Sequence, residues 1–275
     1  MHPALSADIW PAASRRRDLM AHLQPFGDDW PELLAHPAWP VAVQLLAQVE
    51  AEGAAAALAG GEPAFHNREH VGDVLDALLL LMREEPALGV EDKAVLLVAM
   101  IAHDFRHPGR PNRTLRELES AAYRAAQPAL TGLSAREKRR VEHLILSTDP
   151  KGYDRLARPL VHGRTAQACA QMAVAADLLA SVLPLRGFYL GHQLAQELGA
   201  AGDAQARGVG TLAGRAAFLA HCPPLGAAAH RLGLDRLVEV QLALIAALDP
   251  PLRHRSWSPA WGDAFAANVF NALGR

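Results

Sequence analysis

A chain of 275 residues that is 51% hydrophobic and 20% charged is long enough to bury a sizeable core. Its net charge of −2 gives no support to polymeric nucleic acid or a membrane surface as partner. The only cysteines, Cys169 and Cys222, lack metal-site spacing and make no disulfide framework, which fits reduced thiols in a cytoplasmic protein. Met1 to Asp8 holds no basic segment followed by an apolar core, so a signal peptide is not expected. No apolar run reads as long enough to cross a bilayer. Alanine and leucine dominate and aromatics are only 5%, which predicts an all-α fold.

Residues 8 to 60 read as helices broken by proline, with Trp10, Trp30 and Trp39 as packing anchors and Arg15-Arg16-Arg17 as a solvated face. Ala51 to Gly61 reads as a helix end and a turn. No linker separates domains, so residues 1–61 are expected to be a helical part of the same domain as residues 62–275. Next comes Phe65-His66-Asn67-Arg68-Glu69-His70. On one helix His66 and His70 share a face, with Asp73 a turn further on, and the helix stops at Pro86. A second helix, from about Val90 to Phe105, carries the apolar run Ala94 to Ala102 and ends in His103-Asp104. A polar pair at the end of a buried helix needs partners. A metal ion supplies them, because imidazole and carboxylate both ligate zinc, iron and manganese.

His107-Pro108-Gly109-Arg110-Pro111-Asn112 must be a loop. Thr114-x-x-Glu117 has capping-box spacing, which starts a helix near Thr114 and places Glu119 about two turns past the loop. Ser134-x-x-Glu137 is a second capping box, opening a helix that ends at Ser147-Thr148-Asp149-Pro150. An alanine-rich helix from about Thr165 to Leu183 contains one acid, Asp177, which is either exposed or bound to something. If the metal lacks a fourth ligand, Asp177 is the best downstream candidate. Helices are expected at 187–200, 203–220 and 233–248, with Trp257, Trp261 and Phe265 packing the tail back on the domain.

These motifs resemble the HD-domain metal-dependent phosphohydrolases, and most closely the catalytic domain of class I cyclic nucleotide phosphodiesterases. The family pattern is similar to Phe65-His66-Asn67-x-x-His70-x-x-Asp73-Val74, then His103-Asp104-x-x-His107-Pro108-Gly109-x-x-Asn112, then Glu119, Thr148-Asp149 and Ala176-Asp177-Leu178, in this order. The match covers about residues 62 to 220. The resemblance implies an all-α bundle with a metal site in a central pocket. It implies that His70, His103, Asp104 and Asp177 hold a first metal, zinc or else iron or manganese, and that Asp104 bridges to a second, magnesium or manganese. His107, Glu119 and Thr148 would orient water around them, and His66 would be the general acid.

The implied reaction is hydrolysis of a cyclic nucleotide or related small phosphodiester, with no polymeric nucleic acid as substrate. The alternative is an HD-domain nucleotidase or other phosphomonoesterase; a non-catalytic nucleotide sensor is a weaker third reading. Asn67, Arg215 and Phe218 are the implied substrate-binding residues. The family's purine-reading Asn corresponds to Ala180 and its Gln to Arg215, within Gly214-Arg215-Ala216-Ala217-Phe218. Arginine only donates hydrogen bonds, so Arg215 would suit guanine O6/N7, a second phosphate or a carboxylate. The 60 or so residues before the first motif leave no room for an accompanying regulatory domain. Compact helical enzymes of this composition often form homodimers, so a homodimer is one candidate assembly, though no residue marks an interface.

Overall fold

The computed structural model describes Leu5, Trp10 and residues 18–155, 164–256 and 258–274. Among them the fold is all-α, with no strand beyond one isolated bridge between Thr211 and Ser256. In chain order the helices are α1 Leu19–Asp29, α2 Ala38–Leu58, α3 Arg68–Arg83, α4 Val90–Ala102, α5 Glu117–Ala126, α6 Ala135–Ser147 and α7 Arg164–Val182. They continue with α8 Arg186–Ala200, α9 Ala206–Val209, α10 Leu212–Ala220, α11 Gly226–Leu232, α12 Leu234–Ala246, α13 Pro250–Arg253 and α14 Pro259–Ala272.

Helix α4 is the axis of the bundle. Every residue from Lys93 to Ala102 is buried, as expected of a helix that is apolar all round. Its acidic first turn, Glu91 and Asp92, sits at the positive end of the helix dipole and pairs with Arg140 of α6. The one buried cation in it, Lys93, donates to the Leu88 carbonyl at 2.7 Å and lies over the Trp30 ring. Helices α2, α6 and α7 pack around α4, and α3 runs along α7. Ala170, Ala173 and Ala176 of α7 are fully buried and let the neighbouring helices approach closely.

Several expectations hold. The Ser134 capping box is present in full, with the Ser134 hydroxyl accepting from Glu137 N–H and the Glu137 carboxylate accepting from Ser134 N–H. Trp10 is buried, and Trp30 and Trp39 pack against the core. Others need correction. Thr114 caps nothing with its side chain: α5 begins only at Glu117, after Arg116 in a left-handed turn, because Asn112 Oδ1 takes Leu118 N–H and Asp149 takes Arg116 N–H. The 203–220 segment is two helices, split at Thr211, whose hydroxyl accepts from Gly214 N–H at 3.0 Å. In the tail, Phe265 is buried edge-on against Phe188, whereas Trp261 is exposed. Trp257, Met1 to Asp8 apart from Leu5, and Arg15-Arg16-Arg17 lie outside the described residues. Helix α2, at 21 residues, is long and apolar enough to cross a bilayer by length and composition, as is the bent α7–α8 pair taken as one span. The expectation that no run reaches that length therefore fails.

The α7–α8 corner is one of the closest backbone approaches at a glycine among the described residues. A β-carbon on Gly187 would lie 2.1 Å from the Ser181 carbonyl oxygen and 2.7 Å from the Arg215 guanidinium. Gly187→Ala is therefore expected to destabilise the fold by roughly 1–3 kcal/mol, as overpacking does. Thermal denaturation would register this as a loss of several degrees in Tm.

Candidate metal centre

Three helices bring the expected ligands together. Asn67 caps α3: its Oδ1 accepts from Glu69 N–H at 2.9 Å and His70 N–H at 3.1 Å, which sets His70 in the first turn. His103 sits at the C-cap of α4, Asp104 in the turn after it, and Asp177 within α7. His70 and His103 are almost wholly buried, and Asp104 and Asp177 are only 16% and 17% exposed.

The ligand atoms converge. His70 Nε2 lies 3.2 Å from Asp104 Oδ2, 3.1 Å from Asp177 Oδ1 and 3.3 Å from His103 Nε2. His103 Nε2 lies 3.1 Å from Asp104 Oδ2 and 3.5 Å from Asp177 Oδ1. Neighbouring donor atoms on a first-row divalent cation are about 3.0 Å apart in octahedral and about 3.3 Å apart in tetrahedral coordination. These five separations match that spacing, and all four ligand atoms lie within 4.8 Å of one another. His103 Nδ1–H donates to the Met100 carbonyl at 2.8 Å, which leaves Nε2 directed at the cluster, where loss of its proton would free a lone pair for a cation. A buried His/Asp group able to hold a metal ion is thus present.

Asp104 also belongs to a second convergent group, with His66 and His107. His107 Nδ1 accepts the Gly109 N–H at 3.2 Å, so in the neutral ring the proton sits on Nε2. Burial and the neighbouring His66 push His107 down to about 4, so it is neutral near pH 7 and presents a donor. That suits it to orient water better than to bind a cation directly. The loop holds it there through left-handed backbone at Arg106 (φ 59°) and Gly109 (φ 66°). The Arg106 guanidinium is tied to Glu52 at 2.7 Å and stacks on Phe105.

His66 lies in the turn before α3, not on it, so the expected shared helix face with His70 is absent. Asn67 is the reason, because its cap starts the helix one residue later. What fixes His66 is Glu197, on α8, which composition did not single out. His66 Nδ1–H donates to Glu197 Oε1 at 2.5 Å, and Glu197 Oε2 accepts the backbone N–H of Phe65 and His66. Burial alone would raise the Glu197 carboxyl; the His66 bond and charge outweigh it and hold it at about 2. The signal available in the sequence was faint: Glu197 is the sole acid in α8. Asp73 pairs instead with Arg186, which also reaches Glu69. Burial raises Asp73 to about 6 despite that arginine.

Asn112 Nδ2 donates to both oxygens of Glu119, at 2.9 and 3.0 Å, and to Asp149 at 3.3 Å, beside the cluster. Glu119 lies in the first turn of α5 rather than two turns past the loop, and burial raises its carboxyl. Thr148 donates to the Ile145 carbonyl and lines the same cleft. That cleft, about 680 Å³, opens from the cluster toward α8 and α10.

The expected substrate residues fare worse. Asn67 is a cap whose amide also donates to the Pro63 and Ala64 carbonyls; all its hydrogen-bonding capacity is local, and it does not line the cleft. Arg215 borders the cleft, yet its guanidinium holds the carbonyls of Ser181, Val182 and Leu183 and the Gln241 amide oxygen, and it stacks on Phe188. Buried among neutral acceptors, it is pushed down to about 9. It ties off the C-terminal carbonyls of α7 and is not free to read a base. Ala180 is buried away from the cleft, where Ser181 faces instead. Phe218 does line it. No family model matches the chain, and no curated protein matches it.

The electrostatics generate a pH prediction for metal loading. Burial would lower both histidines, but Asp104 and Asp177 override it and raise His70 to about 9 and His103 well above its ordinary value. Without metal, both rings are thus protonated at pH 7. The stability these pairs contribute is complete below about pH 6.5 and is lost as pH rises through about 9. Zinc binding at pH 7 is expected to release about two protons per ion, measured as the dependence of calorimetric enthalpy on buffer ionisation heat. No proton release would mean that the cation binds elsewhere.

Proposed function

We propose that the chain is a metal-dependent phosphodiester hydrolase with two cation sites that share Asp104. The observation that carries this reading is a titratable group beside the cluster but outside its four ligands: His66, anchored by the buried Glu197. A purely structural metal site has no use for such a group. His70, His103, Asp104 and Asp177 would hold zinc, iron or manganese; Asp104 would reach a second cation, magnesium or manganese. Bound divalent cations supply positive charge that makes water a nucleophile near neutral pH and neutralises phosphoryl oxygens.

The chain's own groups do the rest. His107 and the Asn112-held Glu119 would orient water by donating and accepting hydrogen bonds. With Nδ1–H on Glu197, His66 would present a protonated Nε2 to the leaving alkoxide, which is a poor leaving group until it receives that proton. The Glu197 carboxylate would hold the ring in that orientation and keep it from turning. The cleft, at about 680 Å³, has room for a small molecule.

The test supplies manganese or magnesium and offers 3′,5′- and 2′,3′-cyclic nucleotides, bis(4-nitrophenyl) phosphate and nucleoside monophosphates. Diester hydrolysis abolished in Asp104→Ala, together with metal content, supports the reading. Turnover of monophosphates alone would move the chain to the phosphomonoesterase class. His66→Ala should keep metal content near wild type and lose roughly 10²–10⁴-fold in turnover; loss of metal instead would make His66 a ligand. Glu197→Gln should keep the metal and lower turnover at every pH, because the His66 ring loses the carboxylate that orients it.

A further inference from the structure

The cleft has two unlike halves. One half is the cluster and its polar surround. The other is an apolar wall from α7, α8 and α10, built by Leu178, Phe188, Leu190, Leu194 and Phe218. A base is recognised on its edge by groups that both donate and accept, and the wall has almost none. Of the two carboxamides at the cleft, Asn112 is engaged on both ends and Gln205 is exposed at the rim. Each nitrogen of the Arg215 guanidinium is already bonded. Ser181 is the one small polar residue on the wall.

A single polar atom in the cleft stands apart. The Tyr153 hydroxyl is buried and, among the described residues, has no hydrogen-bond partner. Tyr153 lines the same cleft as Asp177 and Phe218. A buried hydroxyl without a partner costs about 1–3 kcal/mol, so native folds keep one where a ligand or water completes it. Burial, with Asp177, Asp149 and Glu119 nearby, raises the phenol well above its ordinary value, which keeps it protonated. It therefore has a proton to donate, and it needs an acceptor oxygen.

We propose that the occupant is a phosphodiester whose organic group is an aryl or branched alkyl, seated on the Leu178–Phe188–Leu190–Leu194–Phe218 wall, with the Tyr153 hydroxyl donating to an oxygen of the ester. A cavity of about 680 Å³ suits a group of that size. The inference rests on the phosphodiesterase reading and narrows its substrate away from purine cyclic nucleotides.

The experiment is calorimetric binding of diphenyl phosphate, 3′,5′-cyclic AMP and inorganic phosphate to the manganese-loaded protein and to Tyr153→Phe. Diphenyl phosphate is expected to bind at least about tenfold more tightly than cyclic AMP, the worth of nearly two buried methylenes. Tyr153→Phe should weaken diphenyl phosphate about three- to tenfold, the range of one hydrogen bond, while metal content is unchanged and the free protein's Tm is equal or higher. A merely structural tyrosine would lower Tm and leave affinity alone. Cyclic AMP binding as tightly as diphenyl phosphate, no binding of diphenyl phosphate, or an unaltered affinity in Tyr153→Phe each overturns the proposal. Hydrolysis of bis(4-nitrophenyl) phosphate, run alongside, separates the two failures: its absence removes the phosphodiesterase reading, whereas its presence with cyclic AMP preferred removes only the apolar-ester inference.

Discussion

Two carboxylates and two imidazoles converge where water is largely excluded, and much of the bundle exists to keep them there. Bringing charge out of water is expensive, and a buried ion pair is tolerable only when its geometry is good and its remaining polar atoms are met. Each ligand-bearing helix is therefore secured at the end that matters. Asn67 caps α3 one turn from His70. Helix α4 is buried through its length and delivers His103 at its last turn, where the Met100 carbonyl takes Nδ1–H. Helix α7 is closed by Arg215 and Gln241, one turn beyond Asp177. If any of the three slipped by one residue, a donor would leave the common centre and a buried charge would lose its partner.

Helix α8 supplies the next layer, and its periodicity explains how. Arg186 and Glu197 are eleven positions apart, close to three full turns, so they lie on one face. That face runs along the start of α3. Arg186 bonds Glu69 and Asp73, and Glu197 bonds His66 and the backbone of Phe65. The ion pair at one end thus registers the other. Asp73, which shares the sequence window of the ligands, takes part in this bracing and not in the cluster.

The sequence was most legible where chemistry and periodicity coincide. An alanine- and leucine-rich composition without β-branched runs implied an all-α fold, and the four residues of the cluster were readable because His and Asp are conspicuous inside apolar helices. Legibility ended at local competition and at distance. The Thr114-x-x-Glu117 spacing suggested a cap, but Asn112 and Asp149 took the free N–H groups from outside the spacing. His66 seemed placed by its interval from His70, but Asn67 between them stopped the helix. Glu197 stands 131 residues from His66, and no local pattern ties one acid of α8 to a turn before α3.

Arg215 shows why residue type alone misreads a cleft wall. An arginine bordering a phosphate-sized site invites assignment to the ligand, and the invitation lapses once its donors are followed. They end on three carbonyls that a helix terminus must leave unpaired and on a glutamine that itself bonds Val182. The guanidinium carries its charge into the core with neutral acceptors around it, and Gly187 gives up its side chain to make room. A group held this firmly sets the position of α7, and α7 carries both Asp177 and the Leu178–Ser181 edge of the apolar wall. Asp177 and Leu178 are thus adjacent positions on one clamped helix, so the distance between the His/Asp cluster and the apolar wall is fixed by the backbone rather than by a mobile side chain. Under the proposed reading such a site would select by the shape of what is attached to the phosphate, with the rim left to admit it.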